Sequence, residues 1–190
     1  TDDERIAVAV RDPRGRSSSI AVMTDAALPS GTDRVAVVAR QQGWDDDTIV
    51  VNVQGDEPLV DPKMIGLLTM HIIEYAGLKI ATLIHEIEDV NELINPNIVK
   101  VVVNKAGEAM YFSRQAIPFV RDLPVENWLS QGTYFRHIGM YAYTAQALLA
   151  IEKFSMHPYE TMEKLEQLTW LSNGLTIQCL ETHLESKGID

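Results

Sequence analysis

Two acidic residues, Asp56 and Glu57, stand directly after a run of β-branched residues. The run spans residues 49–53, and its near-continuous apolar character predicts a strand covered on both faces, as in a parallel sheet. Gly55 and Pro58 end this strand. Since ligands collect at the carboxyl ends of strands in open α/β sheets, Asp56 is a candidate ligand of a substrate or of Mg²⁺, which prefers carboxylate oxygens. The alternative is that Gly55 and Asp56 only form a tight turn.

Two further groups of residues have types that suit an anionic ligand. Ser30 and Asp33 have the spacing of a capping box at the start of a helix, where exposed amide groups can bind anions. Arg114, Arg121 and Arg136 concentrate positive charge in an otherwise acidic chain. The alternatives are a helix cap without a ligand and a scattered set of surface arginines.

Composition excludes several classes of protein. The chain has 190 residues, 46% of them hydrophobic and 23% charged, which is typical of one globular domain. A net charge of −11 argues against broad binding to nucleic acids or anionic membranes, because phosphate groups attract basic surfaces. A small polyanionic substrate would need a metal ion or a local cluster of Arg and Lys. No apolar run approaches the length of a membrane span, so we expect a soluble protein. The single cysteine, Cys179, fits a reducing compartment, and if it is buried it fits any compartment.

The hydrophobic pattern predicts alternating strands and helices around one core. Strands are predicted at residues 20–24, 49–53, 79–84, 138–143 and 175–180, with a hairpin formed by 99–103 and 109–112. Helices are predicted to begin near residue 31, and at 62–76, 87–93, 145–154 and 161–173. Glu166 and Gln167 lie on the last of these helices, where solvent exposure is the simplest explanation of their polarity.

Five motifs, in this order and spacing, resemble those of the 3-deoxy-manno-octulosonate (Kdo) cytidylyltransferases, also called CMP-Kdo synthetases. The motifs are Ser30-Gly31-Thr32-Asp33-Arg34, Asn52-Val53-Gln54-Gly55-Asp56-Glu57-Pro58, Tyr111-Phe112-Ser113-Arg114, Arg136-His137-Ile138-Gly139-Met140-Tyr141 and Leu165-Glu166-Gln167-Leu168. The resemblance implies a Rossmann-like nucleotidyltransferase of the glycosyltransferase-A-like class, with a mixed sheet flanked by helices. It also implies transfer of CMP from CTP to Kdo with release of pyrophosphate, for lipopolysaccharide synthesis in the cytoplasm.

The resemblance also implies the catalytic and nucleotide-binding residues. Asp56 and Asp190 correspond to the catalytic carboxylates that hold Mg²⁺ in the family, since Gly188-Ile189-Asp190 matches the start of a Gly-Val/Ile-Asp-Thr motif. Ser30, Gly31 and Arg34 would line the cytidine. Carboxylate-bound Mg²⁺ suits this chemistry, because phosphoryl-group transfer depends mainly on positioning and on neutralisation of charge.

The implied sugar-binding residues come from four separate parts of the chain. They are Gln54, His137, Tyr141, Glu166 and Gln167, and in addition Arg114 and Arg121, which would face the sugar acid or the phosphates. Arginine binds a carboxylate through two parallel hydrogen bonds, while the other side chains supply donors and acceptors for hydroxyl groups.

Several features depart from the family pattern. The family's N-terminal strand and its basic phosphate loop, Arg-Leu-Pro-Gly-Lys-Pro, are absent from this chain, and Ala27-Leu28 stands where Asp-His is usual. We therefore expect residues 1–190 to be one α/β domain that is incomplete at both ends. A smaller α+β subdomain, inserted at about 97–160, would bind sugar and pair two chains into a homodimer. The alternatives are transfer of CMP to another acidic sugar, of the 8-amino-Kdo or sialic acid type, and a non-catalytic nucleotide-binding homologue or fragment.

Overall fold

The computed structural model describes residues 1–10, 21–55 and 60–184. Its strands are β1 (Ile49–Asn52), β2 (Ile80–Glu86), β3 (Lys100–Val103), β4 (Ala109–Ser113), β5 (Phe135–Thr144) and β6 (Gln178–Glu181). Its α-helices are α1 (Glu4–Val10), α2 (Gly31–Gln42), α3 (Pro62–Glu74), α4 (Val90–Ile94), α5 (Ala145–Ile151), α6 (Pro158–Glu163) and α7 (Gln167–Ser172), and a 3₁₀ helix spans Val125–Ser130.

Strand β5 lies at the centre of a mixed sheet with the order β4-β3-β5-β2-β6. Its first half pairs with β3 and its second half with β1, both antiparallel, while β2 pairs with it along the other edge. Only the pair β2 and β6 is parallel among the strands that the structure describes. This mixed sheet with flanking helices confirms the predicted α/β class.

Alternation along β5 separates two hydrophobic layers, because successive side chains of a strand point to opposite faces. Ile138 and Met140 pack with α3 on one face of the sheet. Tyr141 and Tyr143 pack with helices α2, α5 and α7 on the other face, together with buried Trp170. The sheet is therefore covered on both sides, and its functional groups emerge where strands and helices end.

Strand β1 confirms one part of its prediction and corrects another. Val50 packs into the layer of α2 and α5, whereas Ile49 and Val51 pack toward α3, so the strand is covered on both faces as predicted. Its pairing with β5 is antiparallel, from Ile49 opposite Thr144 to Asn52 opposite Tyr141. The β-branched residues at 49–53 indicate burial on both faces, but they do not indicate whether the neighbouring strand is parallel or antiparallel.

Two helix starts have capping side chains, and at α2 these belong to the residues that the sequence indicated. At α2, the Asp33 amide donates to Ser30 Oγ at 3.1 Å, and Ser30 Oγ donates to Asp33 Oδ2 at 2.7 Å. At α3, the Lys63 amide donates to Asp61 Oδ1 at 2.9 Å, and Pro62 occupies the first turn. Both caps satisfy amide groups that the helix itself leaves without partners.

The predicted helix at 161–173 is wrong, because two short helices occupy this segment. Helix α6 ends at Glu163, and Lys164 takes the left-handed conformation with φ +56°, its amide donating to Glu160 O at 2.7 Å. Helix α7 begins only at Gln167. Met162, which a continuous helix would turn inward, is 76% exposed.

A second error is the strand at 20–24, since residues 21–24 form no strand and residue 20 lies outside the described residues.

The segment at about 97–160 contributes β3, β4 and β5 to the common sheet. It also supplies Trp128 and Tyr134 to a separate small hydrophobic cluster with Ile87 and Leu93. Its role as a distinct subdomain stays a prediction.

No helix within 1–10, 21–55 or 60–184 is both long enough and apolar enough to cross a membrane.

Candidate active site

A cavity of about 470 Å³ opens where β1 and β4 end, beside the face of β5 and the junction between α6 and α7. Its lining residues are Thr32, Gln54, Asn97, Ile98, Val99, Arg114, Arg136, His137, Gly139, Tyr141, Lys164, Leu165, Glu166, Gln167 and Trp170. We call this space the β5 cavity. It contains six of the seven residues that the sequence assigned to sugar binding, all except Arg121.

Strand β5 presents His137, Gly139 and Tyr141 to the β5 cavity from one face, because residues two apart on a strand point to the same side. The pairing with β2 shifts there, since Thr82 is opposite Tyr141 but Leu83 is opposite Ile138. This bulge leaves Gly139 and Met140 outside the regular ladder with β2. A Cβ atom placed on Gly139 would meet no atom within 4 Å, so the missing side chain contributes to the open space of the cavity.

His137 is held as a neutral hydrogen-bonding group. Its Nε2 lies 2.9 Å from Thr82 Oγ1, and that hydroxyl donates to Met140 O at 2.8 Å. Since the hydroxyl has one proton and donates it to the carbonyl, it accepts from Nε2–H of His137. Burial lowers the pKa of His137 to about 3. The imidazole therefore keeps Nδ1 as an acceptor at neutral pH.

We expect that His137 does not titrate between pH 5 and pH 8. The folded-state pKa lies below the ordinary value of 6.5, so between these two values the unfolded chain binds a proton at His137 and the folded chain does not. The contribution of His137 to stability is complete above pH 6.5 and is lost as the pH falls toward 3. Imidazole ¹⁵N chemical shifts measure this directly, and the His137→Gln variant assigns the signal. A titration midpoint of His137 between pH 5 and pH 7 would contradict the assignment.

Arg114 enters the β5 cavity from the end of β4 and is firmly anchored. Its Nε donates to Glu163 O at 2.6 Å and its Nη1 to Pro96 O at 3.0 Å. Its amide and the Ser113 hydroxyl both donate to the Glu163 carboxylate, at 2.9 and 2.7 Å. The guanidinium keeps donors beyond these two, because arginine has five.

The lining of the β5 cavity has an excess of positive charge. Arg114, Arg136 and Lys164 contribute cations, whereas Glu166 is the single carboxylate among the described lining residues. In a chain with a net charge of −11, this local excess favours an anionic ligand. Tyr141 adds a hydroxyl group that is buried and has no hydrogen-bond partner among the described residues. Burial raises the pKa of Tyr141 well above its usual value, so the hydroxyl stays a donor.

Glu166 lies between the β5 cavity and a second cavity of about 440 Å³. The second cavity is lined by Ser30 at the start of α2 and by Asp33. It shares four lining residues with the β5 cavity: Thr32, Lys164, Glu166 and Trp170. Burial raises the pKa of the Glu166 carboxyl. Gln167, in contrast, is 5% exposed and reaches only the β5 cavity. The two adjacent residues therefore face different surroundings.

Three predicted site residues among the described ones line neither the β5 cavity nor the second cavity. Arg121 forms an ion pair with Asp122 at 3.0 Å, and its side chain is 88% exposed. Gly31 is the first residue of α2. Arg34 donates to the Thr24 hydroxyl and forms an ion pair with Asp2 at 3.5 Å. Their assigned roles stay predictions.

The two predicted magnesium ligands, Asp56 and Asp190, lie outside the described residues. Within 1–10, 21–55 and 60–184, no group of three or more His, Cys, Asp or Glu side chains could hold a metal ion. Gln54, two positions before Asp56 in the sequence, lines the β5 cavity. The magnesium site is therefore a prediction that rests on the sequence.

Sequence reasoning missed several lining residues, above all Arg136 and Lys164. The sequence singled out Arg136 for its charge and as the first residue of the 136–141 motif, without assigning it to the site. Arg136 lines the cavity near the beginning of β5, and its Nε is buried without a partner among the described residues. Lys164 gave no signal, because its position depends on the break between α6 and α7.

Comparisons with known proteins agree with this arrangement. A structure of CMP:2-keto-3-deoxy-manno-octonic acid synthetase complexed with CTP matches with a TM-score of 0.86 and 34% identity, over 100% of this chain and 73% of that chain. HddC from Yersinia pseudotuberculosis, complexed with GMP-PN, matches with a TM-score of 0.57 and 12% identity, over 100% and 68% of the two chains. Mannose-6-phosphate isomerase from Helicobacter pylori matches with a TM-score of 0.51 and 12% identity, over 82% of this chain and 70% of that chain.

The two matches at 12% identity show a shared fold and nothing more. The predicted nucleotidyltransferase-like fold is confirmed by the match at 34% identity. The match at 34% identity extends along the whole chain and carries more weight. In addition, the family model described as cytidylyltransferase matches residues 1–177. The folded core, the cationic cavity and both of these matches lead to one conclusion: this chain belongs to the cytidylyltransferase family.

Proposed function

We propose that this protein transfers CMP from CTP to Kdo, giving CMP-Kdo and pyrophosphate. The observation that carries the proposal is the convergence of Gln54, Arg114, His137, Tyr141 and Gln167 on one cavity. These residues come from four distant parts of the chain, and their types suit a sugar acid. The 34% identity to a CMP:2-keto-3-deoxy-manno-octonic acid synthetase supports the same substrate.

Each group of lining residues has a task in this proposal. Arg114 and Arg136 pair with the carboxylate of the sugar acid. Neutral His137 accepts a hydrogen bond from a sugar hydroxyl, and the Tyr141 hydroxyl donates one. Gln54 and Gln167 supply both donors and acceptors. A polyhydroxylated acid satisfies all these groups at once, whereas an apolar ligand would leave them unpaired.

The nucleotide lies, in this proposal, near the beginning of α2, with Ser30, Gly31 and Arg34 beside the cytidine. The cap bond from Ser30 organises the amide groups at this helix start. Glu166, which borders both cavities, lies between the nucleotide and the sugar. This placement brings the α-phosphate of CTP toward the anomeric hydroxyl of the sugar.

Magnesium is part of the proposal. The donors fit the ion, since the carboxylates of Asp56 and Asp190 are the oxygen ligands that Mg²⁺ prefers, and Asp56 follows Gln54 by two residues. Bound there, the ion would neutralise the charge that develops at the α-phosphate. The residues of this chain then orient the sugar hydroxyl for attack.

We further propose a cytoplasmic homodimer that acts in lipopolysaccharide synthesis. Exposed apolar side chains within the 97–160 segment support the pairing of two chains, notably Phe119 at 74% and Met110 at 61% exposure. Sedimentation of the protein at micromolar concentration measures the oligomeric state.

Pyrophosphate release tests the proposed activity. The protein is mixed with CTP and Mg²⁺ and with Kdo, 8-amino-Kdo or a sialic acid, each alone. We expect release with Kdo and none after chelation of the metal. Faster release with 8-amino-Kdo or with sialic acid would assign the protein to another acidic sugar, and no release with any sugar would refute the proposed activity.

Gln167→Ala should weaken Kdo binding by about 1–3 kcal/mol, the cost of a lost or unpaired hydrogen bond, with little effect on CTP. The reason is that Gln167 is buried and lines the β5 cavity but not the second cavity. Calorimetric titration of each ligand separately measures the two affinities. Gln41→Ala, an exposed position on helix α2, is the matched control. If Gln167→Ala weakened CTP and left Kdo unchanged, α7 would belong to the nucleotide site.

A further inference from the structure

Lys100, on β3, is a charged residue with 0% exposure. Its Nζ donates to three backbone carbonyls, of Asn95 at 2.8 Å, Ile98 at 2.6 Å and Arg114 at 2.6 Å. An ammonium group has three donors, so these bonds use all of them. A buried charge without partners is strongly unfavourable, and the three carbonyls supply the partners.

The three carbonyls lie in two separate segments of the chain that line the β5 cavity. Asn95 and Ile98 lie on either side of Asn97 in the loop before β3, and Asn97 and Ile98 line the cavity. Arg114 lines it from the end of β4. One buried ammonium group therefore ties this loop to the backbone of the arginine. Lys100 itself does not line the cavity.

The loop in turn holds the guanidinium of Arg114. Pro96 O, between the two loop carbonyls that Lys100 binds, accepts from Arg114 Nη1 at 3.0 Å. Glu163 O accepts from Arg114 Nε at 2.6 Å. A displacement of the loop would move Pro96 O and change the direction of the guanidinium.

Burial and the neighbouring Arg114 both disfavour the charged form of Lys100, so its ammonium group depends on the three carbonyl partners. Burial and, secondarily, the Arg114 guanidinium lower the pKa of Lys100 to about 8, while the Glu163 carboxylate opposes the decrease. Ser113 and Arg136 face Lys100 from the neighbouring strands. The ammonium group of Lys100 and the guanidinium of Arg114 therefore lie close to the carboxylate of Glu163.

We propose that Lys100 is a positioning residue for substrate binding, whose ammonium group sets the 95–98 loop and thereby the direction in which Arg114 presents its guanidinium. The inference rests on the proposed function, because the expected ligand of Arg114 is the carboxylate of the sugar acid. Lys100 acts through Arg114 and does not touch the substrate.

The test compares Lys100→Met, Arg114→Ala and the double variant with the wild-type protein. We expect Lys100→Met to raise the KM for Kdo at least about tenfold, with the KM for CTP within about twofold. Because Lys100 acts through Arg114, the double variant should bind Kdo no worse than Arg114→Ala alone. Equal increases in both KM values, or additive effects in the double variant, would overturn the inference.

Ile177→Val, a change in the buried core away from the loop, controls for a general loss of stability. If Lys100→Met does not fold, Lys100→Gln replaces it, since its amide can still donate two hydrogen bonds. Amide hydrogen exchange in the ligand-free protein separates this inference from the proposed function. We expect faster exchange at 97–99 in the Lys100 variant than in Ile177→Val. If the wild-type protein uses no sugar acid, the proposed function fails. Independently of that result, unchanged amide exchange at 97–99 in the Lys100 variant would overturn the role of Lys100.

Discussion

Asp56→Asn is expected to reduce magnesium-dependent turnover by at least about 1000-fold, which corresponds to about 4 kcal/mol of transition-state stabilisation. The amide keeps the shape of the side chain but removes the negative charge that would hold the cation. The folded structure should be retained, because the substitution is nearly isosteric. Pyrophosphate release across a range of Mg²⁺ concentrations measures the effect, and circular dichroism monitors the fold.

The acidic loop before β1 offers a matched control. Asp47→Asn makes the same chemical change at an exposed position nine residues earlier and should leave turnover unchanged. If Asp56→Asn kept near-wild-type turnover at limiting Mg²⁺, Asp56 would not be a metal ligand. A loss of turnover that excess Mg²⁺ fully restores would show weakened metal affinity and would still support the assignment.

Gly139→Val is expected to lower the affinity for Kdo by about 100-fold or more, equivalent to about 2.8 kcal/mol, without destabilising the protein. The new side chain would point between His137 and Tyr141 into the β5 cavity, where no atom lies within 4 Å of the added Cβ. We therefore expect the free protein to accommodate the valine side chain. Bound sugar would meet it directly, and overpacking of a filled site costs about 1–3 kcal/mol.

Gly139→Ala provides a graded comparison. A glycine within a strand is less stable than alanine by about 0.5–1 kcal/mol, so both variants should have melting temperatures at or above that of the wild type. Kdo affinity should fall in the order glycine, alanine, valine, while CTP affinity stays constant. Unchanged Kdo affinity in Gly139→Val, with an intact fold, would place the sugar elsewhere. A decrease in CTP affinity alone would assign the β5 cavity to the nucleotide.

Patterns within a few residues predicted most of the elements around this site. The capping residues Ser30 and Asp61 begin helices because a side-chain oxygen near a helix start binds amide groups within three residues. The hairpin of β3 and β4 forms around the turn at 104–107, where the Gly107 amide donates to Asn104 O at 3.0 Å. These interactions are local, so the sequence is sufficient to predict them.

The errors occurred where distant parts of the chain decide the outcome. A continuous helix at 161–173 satisfies the local pattern, but it ends at Glu163, whose carboxylate and carbonyl are bound by Ser113 and Arg114 from β4. Those partners lie 50 and 49 residues away in the sequence. Local propensity is a weak preference, and such tertiary contacts override it.

By itself, the sequence determined the α/β class, the covered strand β1, the shared face of His137 and Tyr141 and the motifs of a cytidylyltransferase, since each depends on residue type and short spacing. Only the tertiary structure decided which arginines enter the cavity. It places Arg136 and Arg114 there and leaves Arg121 in solvent, paired with Asp122. The physical reason is that a cavity is formed by the ends of elements that meet in space. Their meeting is set by packing and buried hydrogen bonds, such as those of Lys100, between residues far apart in the chain.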